Sequence, residues 1–414
     1  MLLLLALLPW LLENCRLKIV NIVNSFIGRK GNIGLRTSYI IKKLNEKKIS
    51  SISYSRGIEN LPSQSNINMG ILGHIPRLLN AYRIYIDKNF NSRRLDIKLF
   101  EFFFLKSYQE IKEGKKICHV WESSPKIIKF LKEKGFTTIL DMPIAPTKYA
   151  IKTFKYYNEK VSIDYSFNIE QEEKSFDLVD YIISPSSFVT NELIDLKVNK
   201  DKIFTVPFGV DITICNKKIF TKNYEDKGVD YCFAGAVNKR KGIEFLLEAW
   251  NDEKFKNDRL HLCGRLYPEI KKLLKKYNFK NVILPGFVET DEYFKKCDVY
   301  VFPSLLEGSS KSIYEAMGSS LPCIVSYNSG SIIVDNQDGF LIDIGDKDPY
   351  IIEGYEGRRR LIKLALNIIL NAETKKSSIN AILRKLFEGS DAIFCPRGEC
   401  KRIKIKKLSL IKIN

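Results

Sequence analysis

From residue 17 onward, short β-rich runs alternate with helical periods through most of this 414-residue chain. The first strand is predicted at LKIVNIVNS (17–25), followed by the loop FIGRKGNIG and a helix over residues 35–44. Such alternation is typical of a parallel sheet, because the chain needs a crossover helix to return to the same edge of the sheet. Further strands are predicted at ISSISYS, KICHVW, TTILD, DYIISPS and KIFTVPFG. The first half of the chain therefore predicts an α/β fold.

A second series of strands follows a polar stretch rich in lysine and asparagine. Its strands are predicted at YCFAGAV, RLHLCGR, NVILPGF, VYVFPS and PCIVSYN. Apolar residues recur with helical spacing between them, as in IEFLLEAW and IKKLLKKY. The two series together predict two Rossmann-like domains whose parallel sheets face each other across a cleft. In such sheets ligands bind beyond the carboxyl ends of the strands.

The same pattern sets the predicted domain boundaries. We predict an N-terminal domain at 17–211, a linker at 212–228 and a C-terminal domain at 229–386. An apolar extension (1–16) and a basic tail (387–414) complete the chain. The tail, with its segment KRIKIKKLSLIKI, fits an edge strand, a disordered basic tail or an altered C-terminus.

Composition favours a polyanionic partner and excludes a small disulfide-stapled protein. Lysine and arginine number 67 against 48 acidic residues, which gives a net charge of +19. That charge suits nucleotide phosphates, anionic lipid or nucleic acid. The nine cysteines are odd in number and scattered, which fits buried thiols in a reducing compartment.

The apolar start MLLLLALLPWLL is shorter than the roughly 20 residues that a membrane-spanning helix needs. No positive segment precedes it and no small-residue cleavage site follows, so it does not fit a signal peptide. A disordered or membrane-touching extension and a start codon set too early are two open interpretations. We predict a cytoplasmic protein, with peripheral attachment to the inner face of the membrane as an open alternative.

The segment VYVFPSLLEGSSKSIYEAM (299–317) runs from an apolar strand through a Gly/Ser loop into a helix. A loop of small residues at a helix start presents backbone N–H groups that suit a phosphate. Carboxylates beside that pocket suit hydroxyl groups instead. Glu307 in the loop and Glu315 about one turn into the helix therefore predict a ligand with both groups. The alternative is a surface helix with an acid near its start, which accounts for Glu307 better than for Glu315.

Taken in order, these segments resemble the retaining glycosyltransferases of family 4, which have the GT-B fold. The resemblance covers about residues 17–345 and rests on PFGVD, FAGAVNKRKGIEFLLEAW, LHLCGR, VILPGFV, CDVYVFPSLLEGSSKSIYEAM and DGFLI. Several motifs in the right order are more specific than any one of them. The resemblance implies transfer of a sugar, with retention, from a nucleotide-sugar to a glycan or lipid-linked acceptor. It implies no metal and no other cofactor.

The resemblance also implies roles for individual residues. Glu315 would bind the ribose hydroxyls of the donor, Glu307 would contact the transferred sugar, and Lys241 would neutralise the diphosphate leaving group. The other implied donor-binding residues are Arg240, Gly235, Gly264, Arg265, Val288, Gly308, Ser309, Ser310, Gly31 and Gly34.

Three features depart from the commonest pattern of that family. Ala236 stands where an arginine is usual, so we expect Arg240 or Lys239 to supply the missing diphosphate contact. Ser309 and Ser310 replace an aromatic residue and a glycine, and can still offer backbone N–H groups and two hydroxyls. The loop after TTILD contains no histidine.

Candidates for the sugar or acceptor side come from the first domain. Glu122 and Asp141 follow or end two neighbouring predicted strands, and we predict that they contact sugar or acceptor. His119 and His261 lie inside predicted strands, and we interpret both as core residues. Asp346 and Asp348 are interpreted as solvated loop acids, so no metal site is predicted.

Residues 74–110 interleave basic residues with a phenylalanine cluster. This segment suits a membrane surface that carries a lipid-linked acceptor, and an ordinary core helix pair is the competing interpretation. The basic residues are Arg77, Arg83, Lys88, Arg93, Arg94 and Lys98.

Two other classes of function stay open. One is a nucleotide-sugar epimerase or phosphorylase of the same fold, although an epimerase needs acid/base groups that are not evident. The other is a catalytically impaired GT-B protein that binds membrane or nucleic acid through its charge. No DNA- or RNA-reading motif is visible, so we expect no nucleic-acid partner.

Overall fold

The computed structural model describes residues 17–29, 32–59, 66–156, 165–210, 228–335, 339–342, 393–394 and 401–402. These residues form two compact units. The first contains the chain up to Pro185 and Val189–Val206, and the second contains Ser186–Phe188 and the chain from Pro207 onward. Each unit is built on a fully parallel sheet with crossover helices, which confirms the predicted pair of Rossmann-like domains.

The first unit contains a seven-stranded sheet of order β3-β2-β1-β4-β5-β6-β7, in which every neighbouring pair is parallel. Its strands are β1 (Leu17–Ile27), β2 (Ser50–Ile58), β3 (Asn66–Asn68), β4 (Lys115–Val120), β5 (Thr137–Asp141), β6 (Tyr181–Ser184) and β7 (Ile203–Thr205). Its helices are α1 (Asn32–Glu46), α2 (Ile75–Tyr85), α3 (Ser92–Ser107), α4 (Pro125–Glu133), α5 (Thr147–Tyr156), α6 (Tyr165–Leu178) and α7 (Ser187–Asp195). Short 3₁₀ turns lie at Gly70–His74 and Lys200–Lys202.

Helix starts in this unit follow ordinary capping chemistry. The Asn91 side chain accepts a hydrogen bond from the Arg94 N–H at the start of α3, and Ser124 caps α4 in the same way before Pro125. Strand β3 was not predicted, because NIN carries no apolar alternation and pairs only at the sheet edge with β2. The edge pairing, not local propensity, makes it a strand.

The second unit contains a six-stranded parallel sheet of order β10-β9-β8-β11-β12-β13. Its strands are β8 (Asp230–Ala234), β9 (Arg259–Cys263), β10 (Val282–Gly286), β11 (Val299–Phe302), β12 (Cys323–Ser326) and β13 (Gly339–Ile342). Its helices are α8 (Ile243–Trp250), α9 (Pro268–Tyr277), α10 (Thr290–Lys296) and α11 (Lys311–Gly318). Short 3₁₀ turns lie at Lys239–Lys241, Glu253–Phe255 and Tyr327–Ser329, and a two-stranded antiparallel pair joins β14 (Ile393–Phe394) to β15 (Lys401–Arg402).

The central strands of the second sheet are buried on both faces, which explains their nearly continuous apolar runs. Phe233 of β8 stacks on Phe302 of β11 at 5.4 Å between ring centroids, and Tyr300 stacks on Phe302 at 6.0 Å. This aromatic layer fixes the pairing of β8 with β11 at the centre of the sheet.

The order in which successive strands are added reverses at the centre of both sheets, while all the strands stay parallel. The crossovers from β8 go to β9 on one side, while the later strands β11 and β12 continue on the other. The loops that leave β8 and β11 therefore lie side by side at the carboxyl edge of the sheet, where ligands bind in folds of this kind. In the first sheet the corresponding position lies beyond β1 and β4.

Several predictions concern residues outside this description. The extension at 1–16, all but one residue of the linker at 212–228 and most of the tail at 387–414 lie outside the described residues. The predicted domain boundaries therefore stay predictions. In the described ranges, no helix combines the length and apolar character needed to cross a bilayer.

Gly242 lets the turn after β8 lie directly against the loop after β11. Its φ is +69°, and a Cβ at this position would lie 1.8 Å from the carbonyl oxygen of Pro303. Gly286 has a similar φ of +76° but no atom within 4 Å of the corresponding Cβ position. A side chain at either glycine would strain the backbone, but only a side chain at Gly242 would also clash with a neighbouring atom.

We expect Gly242→Ala to destabilise the protein by about 3–5 kcal/mol, because left-handed strain adds to a clash with backbone. Gly286→Ala is the matched control and should cost about 1–2 kcal/mol, from strain alone. Chemical denaturation followed by circular dichroism measures both. Equal losses in the two variants would contradict the close approach at Pro303.

Candidate functional site

Three charged side chains meet where the turn after β8 faces the loop after β11. Glu307 Oε1 accepts hydrogen bonds from Lys241 Nζ at 2.5 Å and from Arg240 Nη1 at 2.7 Å. Ser304 Oγ donates to the same oxygen at 2.8 Å. Glu307 is 6% exposed and Lys241 is 9% exposed, so both are buried, whereas the Arg240 side chain is 35% exposed. Lys241 and Glu307, two predicted site residues from different loops, are thus in direct contact in the fold.

The turn that carries Lys241 and Arg240 is fixed by its own side chains. Asn238 Oδ1 accepts a hydrogen bond from the Lys241 N–H at 3.1 Å, which caps the 3₁₀ turn. Lys241 Nζ lies 4.7 Å from the centroid of the Phe302 ring at the end of β11, a cation–π distance. The strand residue before the loop therefore helps to hold the lysine in place.

Burial and charge act against each other on both partners. Burial alone would raise the pKa of Glu307, but the charges of Lys241 and Arg240 outweigh it and hold that pKa below its ordinary value. Burial lowers the pKa of Lys241, which the negative charge of Glu307 only partly offsets. Glu307 is therefore ionised at neutral pH and acts as the internal counter-ion of two cations.

The loop from Pro303 to Ser310 is held against the segment after β12. The Glu307 N–H donates to Asn328 O at 3.1 Å, Asn328 Nδ2 donates to Leu305 O at 3.0 Å, and Ser326 Oγ donates to Ser304 O at 2.7 Å. These contacts give the carboxylate one orientation without any ligand, which is the kind of preorganisation that binding and catalysis use.

Gly308, Ser309 and Ser310 are all buried in this loop. The prediction that Ser310 offers a free backbone N–H is wrong for this structure, because that N–H donates to Ser329 O at 3.2 Å. Ser309 Oγ lies 2.8 Å from Tyr314 Oη and accepts from the Phe208 N–H at 3.4 Å. The two serines therefore shape and brace the loop.

Glu315 lies in α11, on the helix that follows this loop. Its Oε1 accepts a hydrogen bond from Lys311 Nζ at 2.5 Å, and its side chain is 18% exposed. Lys311 is much more exposed, so the pair is open to solvent and can exchange for a ligand at low cost. The carboxylate is thus available for the predicted contact with a diol.

The remaining predicted donor residues lie at the ends of neighbouring strands. The Gly235 N–H donates to Cys263 O at 2.9 Å, and the Gly264 N–H donates to Gly286 O at 2.6 Å. Arg265 is exposed, with its guanidinium 5.4 Å from the Tyr267 ring centroid, whereas the half-buried Val288 packs on the core. Arg265 can therefore reach a ligand, while Val288 has a packing role in this structure.

In the first unit, Glu122 lies just beyond β4 in a network of charges. Arg93 Nη2 donates to both of its carboxylate oxygens, at 2.7 and 2.6 Å, and Asn24 Nδ2 donates to Oε2 at 3.2 Å. Arg93 Nη1 also donates to Asp96 at 3.1 Å, and Arg56 Nη2 donates to Asp96 Oδ1 at 2.5 Å. Two arginines and two carboxylates thus line the carboxyl edge of this sheet.

Glu172 of α6 is a carboxyl group that the sequence did not single out. Its oxygens accept hydrogen bonds from the Thr147 N–H at 2.8 Å and from Thr147 Oγ1 at 2.6 Å. Burial raises its pKa to about 7, and the charge of Glu122 adds to the shift. Only the folded structure could find it, because it lies 50 residues after Glu122 in a helix of otherwise ordinary polarity.

Asp141 lies at the end of β5 and is completely buried. Its Oδ2 lies 3.0 Å from His119 Nε2 and 3.6 Å from Arg36 Nη2. Burial lowers the pKa of His119, while Arg36 and His119 overcome the effect of burial and hold the pKa of Asp141 below its usual value. This geometry favours a positioning role for Asp141, and the predicted contact with sugar or acceptor stays a prediction.

The glycine-rich loop of the first unit is described only in part. Gly31 lies outside the described residues. A Cβ at Gly34 would lie 2.0 Å from the carbonyl oxygen of Phe26, so this glycine allows α1 to pack on β1. Among the side chains that the structure describes, no three His, Cys, Asp or Glu residues converge as metal ligands. The expected independence of metal stays a prediction.

Sequence reasoning missed Ser304 and Phe302 at the main cluster, although both lie in the motif VYVFPSLLEG. A hydroxyl three residues before Glu307 and an aromatic at the strand end were the available signals. Together, the cluster offers one buried and one half-exposed cation to an anion, and one carboxylate to a hydroxyl or to a developing positive charge. A nucleoside diphosphate linked to a sugar carries all of these groups.

The family comparison agrees with this arrangement. Residues 228–353 match the family model described as glycosyl transferases group 1. That segment contains Lys241, Arg240, Glu307 and Glu315, so the main cluster lies inside the part of the chain that is similar to this family.

Two curated relatives match part of the chain. One is the UDP-Gal:alpha-D-GlcNAc-diphosphoundecaprenol alpha-1,3-galactosyltransferase of Escherichia coli, 36% identical over 110 residues, or 24% of this chain and 27% of the relative. The other is the uncharacterized glycosyltransferase MJ1069 of Methanocaldococcus jannaschii, 27% identical over 207 residues, or 46% of this chain and 51% of the relative. The matches thus span about a quarter and about half of the relatives.

Solved structures show the same fold at low identity. WaaG, a glycosyltransferase involved in lipopolysaccharide biosynthesis, superposes with a TM-score of 0.63 and 13% identity, over 89% of this chain and 98% of WaaG. Sucrose-phosphate synthase of Thermosynechococcus elongatus superposes with a TM-score of 0.60 and 17% identity, over 90% of this chain and all of the synthase chain. Anabaena HepE in complex with UDP superposes with a TM-score of 0.58 and 12% identity, over 90% of this chain and 98% of HepE. The fold is that of the GT-B glycosyltransferases.

The ion cluster makes a testable contribution to stability. Because the pKa of Glu307 is held below its ordinary value of 4.5, its stabilisation is present above that value and is lost as pH falls through the folded-state pKa. Glu307→Gln should therefore have a free energy of unfolding about 1–3 kcal/mol lower than wild type at neutral pH, and this difference should narrow as the pH falls below 4.5.

Glu244→Gln is the matched control, since Glu244 pairs with Lys239 at 3.0 Å on a half-exposed part of the same turn. Its replacement should change stability by less than about 1 kcal/mol. Thermal unfolding followed by circular dichroism at several pH values measures both variants. A Glu307→Gln gap that stays constant or widens in acid would refute the proposed pKa shift.

Proposed function

We propose that the protein is a retaining glycosyltransferase that moves a sugar from a nucleotide-sugar to a glycan or lipid-linked acceptor without a metal ion. The observation that carries the proposal is the ion cluster of Lys241, Arg240 and Glu307. It lies at the central reversal of the sheet, inside the segment that matches glycosyl transferases group 1. Neither the epimerase nor the binding-module hypothesis gains support from the comparisons.

The donor is assigned by the charge of the site. Lys241 and Arg240 suit a diphosphate, and Arg240 is the closer substitute for the arginine absent at Ala236, because its guanidinium already lies on the cluster. Glu315, on the solvent-open side, suits the ribose diol. Since one relative is named for UDP-Gal and one structural neighbour contains UDP, a UDP-sugar is the first donor to test.

The reaction needs no nucleophile from the protein. The bond between the sugar anomeric carbon and the diphosphate oxygen breaks, and the acceptor hydroxyl forms its bond on the face that the nucleotide leaves. The hydroxyl proton passes to the departing phosphate. Lys241 and Arg240 stabilise the charge that develops on that phosphate, and Glu307 stabilises the positive charge on the sugar ring.

The acceptor side rests on the first unit. Glu122, held by Arg93, and Glu172, held by Thr147, lie beyond the strands of its sheet and suit sugar hydroxyls. The relative from Escherichia coli is named for a diphosphoundecaprenol-linked acceptor, which supports a lipid-linked class. A cytoplasmic location stays part of the proposal.

A donor screen tests the proposal directly. One UDP-, GDP- or ADP-sugar should raise the melting temperature, because a ligand at 100 times its Kd adds about 2.7 kcal/mol of stability. Lys241→Ala and Glu315→Ala should bind that donor about 10–100-fold more weakly, as each loses a charged contact. Lys280→Ala is the control, since it removes an exposed lysine of the same unit.

Donor hydrolysis or transfer to a lipid-linked glycan supplies the second readout for the same variants. Stabilisation of Lys241→Ala and Glu315→Ala equal to that of wild type would contradict the donor site. Stabilisation by none of the three donor classes would contradict the proposed function.

The Glu307→Gln variant should show opposite effects on UDP affinity and on the rate of transfer. Glu307 is the counter-ion of the two cations, so a bound diphosphate competes with it. Glu307→Gln should bind free UDP several-fold more tightly, because one negative charge is removed next to the diphosphate, and should transfer sugar at least about tenfold more slowly. Calorimetry with UDP and initial-rate assays measure the two effects, with Glu244→Gln as control. Weaker UDP binding by Glu307→Gln would overturn this role.

A further inference from the structure

An amphipathic segment of the first unit leaves its apolar side chains in solvent. It consists of the 3₁₀ turn Gly70–His74, helix α2 and the residue after it. Ile71 is 89% exposed, Leu78 70%, Tyr85 83% and Ile86 72%, and no residue of α2 is buried. Leu72, Tyr82 and Ile84 are also exposed. We name these seven side chains the α2 surface.

Four side chains of the α2 surface lie along one side of the segment. Leu78, Tyr82 and Tyr85 follow each other at helical spacing, and Ile71 lies one heptad before Leu78. An apolar stripe of this kind normally packs on a core. Here the half-buried residues of α2 face the protein, and the stripe faces outward.

The segment is held in place by contacts with neighbouring residues of the first unit. At Gly73 a Cβ would lie 2.1 Å from the carbonyl oxygen of Arg56, so the turn sits directly on β2. The His74 ring lies 4.8 Å from the Phe26 ring, and the Tyr82 ring lies 4.9 Å from the Phe90 ring. These contacts fix the backbone while the outward side chains touch solvent.

Charge around the α2 surface is one-sided. Between Asn66 and Leu99 the sequence has six lysines and arginines and two aspartates. Asp96 is buried between Arg56 and Arg93, and Asp87 is half-buried and accepts a hydrogen bond from the Asn89 N–H. The exposed cations are Arg77, Lys88, Arg94 and Lys98. Apolar side chains with tyrosines and a cationic border fit an anionic lipid interface.

We propose that the α2 surface binds anionic membranes, with its apolar stripe in the lipid interface and the surrounding cations on lipid phosphates. Its position serves the lipid-linked acceptor of the proposed function, and this part of the inference rests on that function. Arg93, in the helix packed beside α2, holds Glu122 at the carboxyl edge of the sheet. A membrane at the α2 surface would therefore present a lipid-linked acceptor at the edge that carries Glu122.

The test is sedimentation of the full chain with vesicles of phosphatidylcholine alone or mixed with phosphatidylglycerol. Wild type should bind the anionic vesicles and release as salt is added. Ile71→Ser/Leu78→Ser/Tyr85→Ser should lose about tenfold or more in partitioning, because three apolar side chains leave the interface. Leu284→Ser/Phe287→Ser/Val334→Ser, which alters three exposed apolar residues of the second unit, is the matched control and should bind as wild type does.

A second pair of variants isolates charge. Arg77→Gln/Lys88→Gln/Arg94→Gln should lose about tenfold or more on anionic vesicles and show a shallower salt dependence. Lys271→Gln/Lys272→Gln/Lys275→Gln makes the same change of charge on the exposed side of α9 and should lose much less. Unchanged melting temperatures show that the variants are folded.

Three outcomes would overturn the proposal. In the first, the wild-type protein binds neither kind of vesicle. In the second, the serine variant of the α2 surface binds vesicles as wild type does, which would assign binding to another segment, such as the apolar residues 1–12. In the third, light scattering shows that wild type is a dimer and the serine variant a monomer, with no change in vesicle binding, which would assign the surface to contact with a second copy of the chain. Vesicle binding needs no nucleotide-sugar, so failure of the donor screen leaves this result interpretable.

Discussion

The reversal of strand order at the centre of each parallel sheet is the constraint on which the rest of this structure depends. Parallel strands send every loop of one kind to the same edge, and the reversal at β8 and β11 keeps two of those loops from crossing. The turn Lys239–Lys241 and the loop that carries Glu307 are therefore brought together by topology. Gly242 then allows the final approach, since the Pro303 carbonyl occupies the space that a side chain would need. Everything chemical about the second unit follows from that contact.

The cluster at this contact joins one buried carboxylate to two cations. Lys241 is buried and Arg240 is half-exposed, and the negative charge of Glu307 offsets the cost of holding the two cations next to each other. A diphosphate can replace part of that compensation, so the site is held ready for an anion without needing to reorganise. Hydrogen bonds from the segment after β12 fix the carboxylate from the other side. By contrast, the pair of Glu315 and Lys311 faces solvent and can open at little cost.

The first unit shows where residue type alone misleads. Glu122 and Asp141 both follow strands, and their sequence contexts look alike. In the structure Arg93 donates hydrogen bonds to both carboxylate oxygens of Glu122, whereas Asp141 is completely buried next to His119 and Arg36. The difference comes from which helix covers each strand end, and that cannot be read from a strand motif. The same limit applies to α2, whose basic and apolar pattern fits a core helix as well as an exposed one until its burial is known.

What the sequence determined by itself is the fold class, most of the strands and the three charged residues of the main cluster. Those follow from local periodicity and from ordered motifs, which depend on neighbours close in the chain. Strand β3, the support from Ser304 and Phe302, the loss of the Ser310 N–H as a free donor, and the carboxyl group of Glu172 were decided only by tertiary structure. Each depends on contacts between distant segments, or on which groups lose access to water, and only the packed chain fixes these.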